Sequence, residues 1–249
     1  MTFVKEIIRK YLIPKRKPPV WFYTDFEKLA HQQSETQSRF ALSSTDFYPC
    51  LTDRTKTTPL DRHYIYHPAW AAGIIARTQP TLHIDISSTL HFSTMLSAFV
   101  KTEFYDYRPA EVELDNFISD RADLTNLFFA QDSVQSLSCM HTVEHIGLGR
   151  YGDPVDYDGD LKAMRELARV LAPGGSLLFV TPIGNEAKIC FNAHRIYTAT
   201  AVVDTFTTHG LKLMEFSYIP QQSGAMVQAD PATFKTTDSY GCGCFWFTK

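Results

Sequence analysis

From residue 81 to the C terminus the sequence alternates short β-patterned runs with helical ones, and this alternation constrains the fold more than any other feature. Residues 81–86, 102–106, 117–119, 134–140, 176–181, 211–219 and 244–248 read as strands, and 91–100, 160–171 and about 198–208 read as helices. A further helix is expected over 68–77, with Pro68 at its first position. Leu161, Met164, Leu167, Ala168 and Leu171 share one face of the helix over 160–171, which Pro173-Gly174-Gly175 stops. The run Ser176-Leu177-Leu178-Phe179-Val180-Thr181 is nearly all apolar, as in a central parallel strand covered on both faces. An α/β fold follows, with a doubly wound, mostly parallel sheet. In such a sheet, ligands sit at the carboxyl ends of the strands, near the point where strand order reverses.

Composition bounds the rest. A chain of 249 residues with 44% hydrophobic residues can bury one sizeable core, so a single domain with an extension is expected. No run approaches the ~20 apolar residues that span a bilayer. Five cysteines, an odd number, with no apolar signal core point to a reducing cytoplasm. Lys5, Arg9, Lys10, Lys15, Arg16 and Lys17 stand against Glu6 alone in residues 1–17, so the body is more acidic than the net −3. That argues against nucleic acid as a partner. In the basic segment Phe3, Val4, Ile7, Ile8, Tyr11 and Leu12 recur at helical spacing before Pro14. This amphipathic helix either docks on the protein's own core or makes peripheral contact with an anionic membrane. Residues 15–79 are irregular apart from the helix over 68–77, and no chemistry is assigned to them. Of the 12 glycines only Gly73 precedes Gly147, which excludes a Gly-rich phosphate cradle in the first half.

Several constellations could carry chemistry. Asp85-Ile86-Ser87-Ser88-Thr89 closes the first strand and opens the next helix, with Ser88 or Thr89 placed to cap it. Asp106 ends the second strand 21 residues later, near the ~20-residue offset at which an acid can accept bonds from ribose hydroxyls. Asp123 follows the third strand. Three acids after successive strands would line one crevice, although singly each also reads as a cap or a solvated turn residue.

His141-Thr142-Val143-Glu144-His145 matches the inverted zinc-protease pattern, but Gly147 and Gly149 follow too soon for its supporting helix. Asp153, Asp156, Asp158 and Asp160 lack EF-hand spacing and read as a polar lid with a helix cap. Asn192, His194 and Arg195 could bind hydroxyls or an anionic group, or serve structural bonds around Tyr197. Cys242 and Cys244 are too close for a Cys-x-x-Cys zinc loop and read as part of a buried last strand, so no metal is expected.

The run from Ala122-Asp123-Leu124 through Asp132–Ile146, followed by Leu167-Ala168-Arg169-Val170-Leu171-Ala172-Pro173-Gly174-Gly175, resembles the later motifs of class I S-adenosylmethionine-dependent methyltransferases. More narrowly, residues 141–160, 191–197 and 240–247 are similar to an uncharacterised methyltransferase-like family associated with bacterial surface-polysaccharide genes. The resemblance covers residue 62 to the end, leaving 1–61 as an N-terminal extension.

It implies a Rossmann-like, seven-stranded sheet with an antiparallel last strand, and S-adenosylmethionine as cofactor. Asp85, Ser87 and Ser88 would lie near its methionine part, Asp106 on the ribose, and Asp123 with Leu124 near the adenine. His141 and Glu144 would sit beside the transferable methyl group, with His145 as general base and His194 in reserve. Asn192, Arg195 and Asp153 would face a small hydroxylated acceptor, a sugar or glycan precursor. The departure is the turn after the first strand: such enzymes place glycines there, and this chain has Ser87, Ser88 and Thr89. A methyltransferase-like binding or scaffold protein of glycan assembly is the second reading.

Overall fold

A computed structural model describes residues 17–35 and 39–249. The basic amphipathic helix expected over 3–12 lies outside the described residues. The chain divides into two units, one up to Pro59 and one from Leu60 onward.

In the first unit, α1 (Val20–Ser34) takes up the aromatic stretch that the sequence left irregular. Phe22 and Phe26 meet Phe47 edge-on at 5.0 and 4.8 Å between ring centres. Arg54 lies over Trp21 at 4.7 Å. Aromatic residues are indifferent helix formers, and these mutual contacts, rather than helix propensity, favour the packed arrangement.

The second unit opens with α2 (Arg62–Thr78), capped by Asp61, whose carboxylate accepts from the Tyr64 amide. The helix thus begins six residues before Pro68, which lies in its interior. An interior proline costs about 3 kcal/mol. The stripe His63, His67, Ala71, Ile74 and Ile75, all buried at helical spacing, offsets that cost.

There follow β1 (Leu82–Ile86), α3 (Leu90–Leu96), β2 (Lys101–Asp106), β3 (Phe117–Arg121) and β4 (Val134–Met140). After a short 3-10 turn at Val143–His145 come α4 (Gly159–Val170) and β5 (Leu171–Ile183). The chain ends with β6 (Lys188–Cys190), β7 (His194–Ile196), α5 (Ala199–Thr208), β8 (Lys212–Ile219), β9 (Val227–Gln228) and β10 (Gly241–Thr248).

The main sheet runs β3-β2-β1-β4-β5-β10-β8-β9. Strands β3 to β5 are parallel to their neighbours, and β10 is antiparallel to both β5 and β8. The expected seven strands with an antiparallel last one are present, and the two-residue β9 adds an eighth at the edge. β6 and β7 form a separate hairpin.

Helix α4 ends at Val170, just before Pro173-Gly174-Gly175 as the sequence pattern predicts, and the Pro-Gly-Gly run itself lies inside β5. A Cβ on Gly175 would come within 2.8 Å of the Ala172 carbonyl and 3.1 Å of the Gln135 carbonyl, so glycine permits this approach to β4. Leu161 is correspondingly half exposed, while Ala163, Met164, Leu167, Ala168 and Val170 carry the buried face of α4.

Helices cover both faces of the sheet. α4 and α5 pack on Leu137, Phe179, Phe245 and Phe247; α2 and α3 pack on Met140, Leu178, Val180, Cys242 and Cys244. Phe206 of α5 meets Phe179 at 4.9 Å and Phe247 at 4.7 Å. Each such buried ring is worth about 1.5–3 kcal/mol. Among the described residues no helix is long and apolar enough to cross a membrane.

Candidate functional site

Strand order reverses between β1 and β4, so the turn after β1 and the segment after β4 flank the crevice that a doubly wound sheet offers to ligands. Ser87 stands at the first position of the β1 turn with φ +56°, the left-handed region that favours glycine. The turn therefore keeps a glycine-like backbone while carrying a side chain. Ser87 turns back toward β2: its amide and its hydroxyl both donate to the Tyr105 carbonyl, at 2.8 and 3.1 Å. The Ser87 carbonyl accepts from Thr142 Oγ1 at 2.8 Å, and Ser88 Oγ accepts from the Met140 amide at 3.0 Å. Thr89 caps α3.

Asp85 lies beneath this turn rather than in the crevice. Its carboxylate is fully buried and accepts from Ser138 Oγ at 2.6 Å and from Ser93 Oγ. Burial pushes it up to about 6, against the hydrogen bonds that favour the anion. Ser138 is in turn bonded to His83, whose other ring nitrogen meets Ser136. Burial pushes His83 down to about 3.

Two cavities open on either side of the turn and share Ser87 and Tyr151. The smaller, of about 170 Å³, has apolar walls from Ala122, Leu124 and Ile146, and also carries Asp123 and Asp153. Asp123 Oδ1 accepts from the Thr125 amide and hydroxyl, at 2.9 and 2.7 Å. Asp153, expected on the acceptor side, accepts instead from the Gly147 amide at 2.8 Å and the Tyr151 amide at 3.1 Å. These bonds shape the loop, which doubles back at Gly147: φ there is +79°, and a Cβ would run into the Asp156 carbonyl. Asp106 lines neither cavity; it accepts from the Arg108 amide at 2.7 Å in the turn after β2.

The larger cavity, of about 390 Å³, brings together Ser87, Ser88, His141, Glu144, His145 and His194. His145 Nδ1 lies 2.6 Å from the Ala193 carbonyl. A carbonyl can only accept, which assigns the proton to Nδ1 and leaves the Nε2 lone pair. Burial holds the His145 ring below its ordinary value, partly opposed by Glu144. His194 packs against Tyr240 at 5.5 Å, and its buried Nε2 has no partner. Burial lowers its pKa as well.

Glu144 is 1% exposed; Oε1 lies 2.9 Å from His141 Nδ1, and Oε2 is buried without a partner. Although burial opposes the charged form of His141, the adjoining Cys242 and Glu144 push its pKa up to about 10. Arg150 donates to the Ala193 carbonyl at 2.9 Å and lies over Tyr151 at 5.0 Å, while Arg108 lies over the same ring at 4.6 Å.

Two predicted substrate contacts lie elsewhere. Arg195 is buried and donates to the carbonyls of Ile146, Asp156 and Tyr157 at 2.6, 3.4 and 3.0 Å, with Asp160 3.5 Å away. It clamps the loop after β4 to α4, the structural role left open by the sequence. Asn192 is exposed outside both cavities. The inverted zinc-protease arrangement is absent, because His141 closes β4, Glu144 and His145 occupy a single 3-10 turn, and His145 is held by Ala193. Sequence reasoning missed Asp61, His63, Tyr64, Tyr151 and Tyr240, which also line the larger cavity. Of these, His63 carried a signal in its i,i+4 spacing from His67.

Residues 95–226, more than half of the chain, match the family described as "Caenorhabditis protein of unknown function, DUF268". The chain belongs to the DUF268 family. No curated protein matches it. Among solved structures, this DUF268 chain is similar to 1,6-didemethyltoxoflavin-N1-methyltransferase of Burkholderia thailandensis, which holds its substrate and S-adenosylhomocysteine. That match has 9% identity and a TM-score of 0.53, over 95% of this chain and 92% of that one. An S-adenosylmethionine-dependent methyltransferase of Leishmania major gives 11% identity and a TM-score of 0.50, over 73% and 72% of the two chains. The [4+2]-cyclase SpnF gives 13% and 0.51, over 73% and 81%. The fold is that of S-adenosylmethionine-dependent methyltransferases, and SpnF shows that it also serves other chemistry.

Proposed function

We propose that this DUF268 protein binds S-adenosylmethionine and transfers its methyl group to a small hydroxylated acceptor. The observation that carries the reading is the pair of cavities joined at Ser87 and Tyr151 across the switch point of the sheet. The smaller, walled by Ala122, Leu124 and Ile146, suits a flat purine, and Asp123 at its rim offers an acceptor for an exocyclic amine. Contact of Asp106 with the ribose hydroxyls rests on the sequence resemblance, since Asp106 lines neither cavity and accepts from the Arg108 amide. The larger cavity suits a methionine moiety beside Ser87 and Ser88, with the acceptor among polar side chains. Bound there, the cofactor would supply an electrophilic methyl group.

The chain's own residues supply positioning and a base. His145 Nε2 takes the proton of the acceptor hydroxyl while Nδ1–H stays on the Ala193 carbonyl, which fixes the ring plane and tautomer. Its lowered pKa keeps the lone pair available at neutral pH. Arg150 and Tyr151 hold the far wall. A sugar or glycan precursor as acceptor, and membrane contact through residues 1–17, rest on the sequence resemblance and charge pattern.

A second reading, a binding protein without turnover, draws on the side chain at Ser87 in a turn that favours glycine. Release of S-adenosylhomocysteine from S-adenosylmethionine, measured over a panel of sugar and nucleotide-sugar acceptors, separates the two. The methyltransferase predicts acceptor-dependent release that His145→Ala lowers by about 10²–10⁴-fold without loss of cofactor binding. Binding with no release across the panel favours the second reading.

A further inference from the structure

Below the larger cavity, α2, the end of β4 and β10 bring three potential ligands together: His67, His141 and Cys242, with donor atoms all within 4.8 Å of one another. We propose that His67 Nε2, His141 Nε2 and Cys242 Sγ form a binding site for a divalent ion of the zinc class, independently of whether the crevice binds S-adenosylmethionine.

The strongest argument is how the two imidazoles are held. His67 Nδ1 lies 2.6 Å from the His63 carbonyl, and His141 Nδ1 lies 2.9 Å from the Glu144 carboxylate. Metal-ligating histidines are oriented in this way, one ring nitrogen on a carbonyl or carboxylate and the other left for the ion. Both Nε2 atoms are buried, and among the described residues no oxygen or nitrogen serves either of them; the Cys242 thiol beside His141 is the polar group that adjoins it. Leaving a buried polar atom unpaired costs about 1–3 kcal/mol. The one thiol of Cys242 can serve at most one of the two nitrogens, whereas one ion serves both nitrogens and the sulfur.

Bonds of ~2.0–2.3 Å from zinc to nitrogen and sulfur put tetrahedral donors roughly 3.3–3.8 Å apart, so a small contraction closes the set. On binding, the Cys242 S–H bond and the His141 Nε2–H bond break, both protons leave to solvent, and the thiolate and the freed imidazole lone pair take the ion. Imidazole and thiolate together select a borderline-soft ion. Three protein ligands leave a fourth position, and His141 is the one of the three that lines the cavity, so that position opens toward it.

The test uses the full chain, stripped with chelator and titrated with cobalt(II) as a spectroscopic stand-in for zinc. One equivalent is expected to give a thiolate-to-cobalt charge-transfer band together with tetrahedral d–d bands, both removed by zinc. Cys242→Ser should abolish the charge-transfer band and Cys244→Ser should retain it, with circular dichroism confirming that each variant folds. Glu144→Gln, which leaves all three ligands in place, should weaken cobalt binding by about 10–100-fold. A folded wild-type protein with no such band, as expected of a metal-free His141–Cys242 pair, overturns the proposal, as does a band that survives in Cys242→Ser.

Discussion

The two cavities that meet at Ser87 and Tyr151 are built on different principles. In the smaller one the acids are satisfied by the protein itself: Asp123 binds its own turn, Asp153 binds two loop amides, and Arg195 ties the same loop down from behind. In the larger one, buried polar atoms of His63, Glu144 and His194 have no partner among the described residues, and His141 Nε2 has only the Cys242 thiol beside it. A satisfied pocket is a scaffold that offers shape, and an unsatisfied one stores the free energy that a ligand or ion can recover. Under the proposed function, recognition of a flat apolar group and chemistry on a polar one would fall on opposite sides of one turn.

The contrast can be broken most severely through the scaffold side. Arg195→Ala removes the ion pair to Asp160, leaving that acid only its bond from Tyr197, and frees up to three carbonyls; it should cost about 3–5 kcal/mol in urea unfolding. A loss below about 1 kcal/mol would mean that the loop is held by other means.

Beneath the shared turn, Asp85 sets a pH dependence. Its folded-state pKa of about 6 exceeds its ordinary 3.8, so the folded protein keeps a proton that the unfolded chain has released. Its contribution is therefore present below pH 3.8 and is lost as pH rises to about 6. Asp85→Asn removes this loss, so between pH 4 and 7 the variant should gain about 3 kcal/mol on the wild type, because each pH unit separating the folded and unfolded values is worth ~1.4 kcal/mol. Parallel stability curves for the two proteins would show that Asp85 is ionised throughout.

Smaller changes probe the turn and the rim. Ser87→Val places a β-branched residue at φ +56° and should destabilise by about 1–3 kcal/mol, whereas Ser87→Gly should be neutral to stabilising. Thermal unfolding of the pair checks this, and equal melting temperatures would refute strain at this position. Asp106→Ala should weaken S-adenosylhomocysteine binding by about tenfold, the equivalent of ~1.4 kcal/mol, with no change in melting temperature.

Much of the frame was legible because burial on both faces leaves a direct trace in sequence. β4 spans 134–140 as the pattern predicts, and the apolar run at 176–181 lies within β5. What failed was punctuation. Pro68 reads as a helix start, yet tertiary packing carries α2 through it; Pro173-Gly174-Gly175 does follow the end of α4, but as part of β5. At the site, His141, Glu144, His145 and His194, to which the family resemblance pointed, line the larger cavity. Asp85 and Arg195 stand near strand ends but point into the structure, a distinction of side-chain direction that spacing does not encode. His67 and Cys242 lie 175 residues apart in the chain, and only the packing of α2 against β10 brings them together.

The most direct measurement is calorimetric titration of S-adenosylhomocysteine into the wild-type protein. One-to-one binding in the micromolar range, reduced in Asp106→Ala and unchanged in His145→Ala, is the predicted result. No heat at millimolar ligand, with the protein folded, would contradict the central claim that the paired cavities form a cofactor crevice.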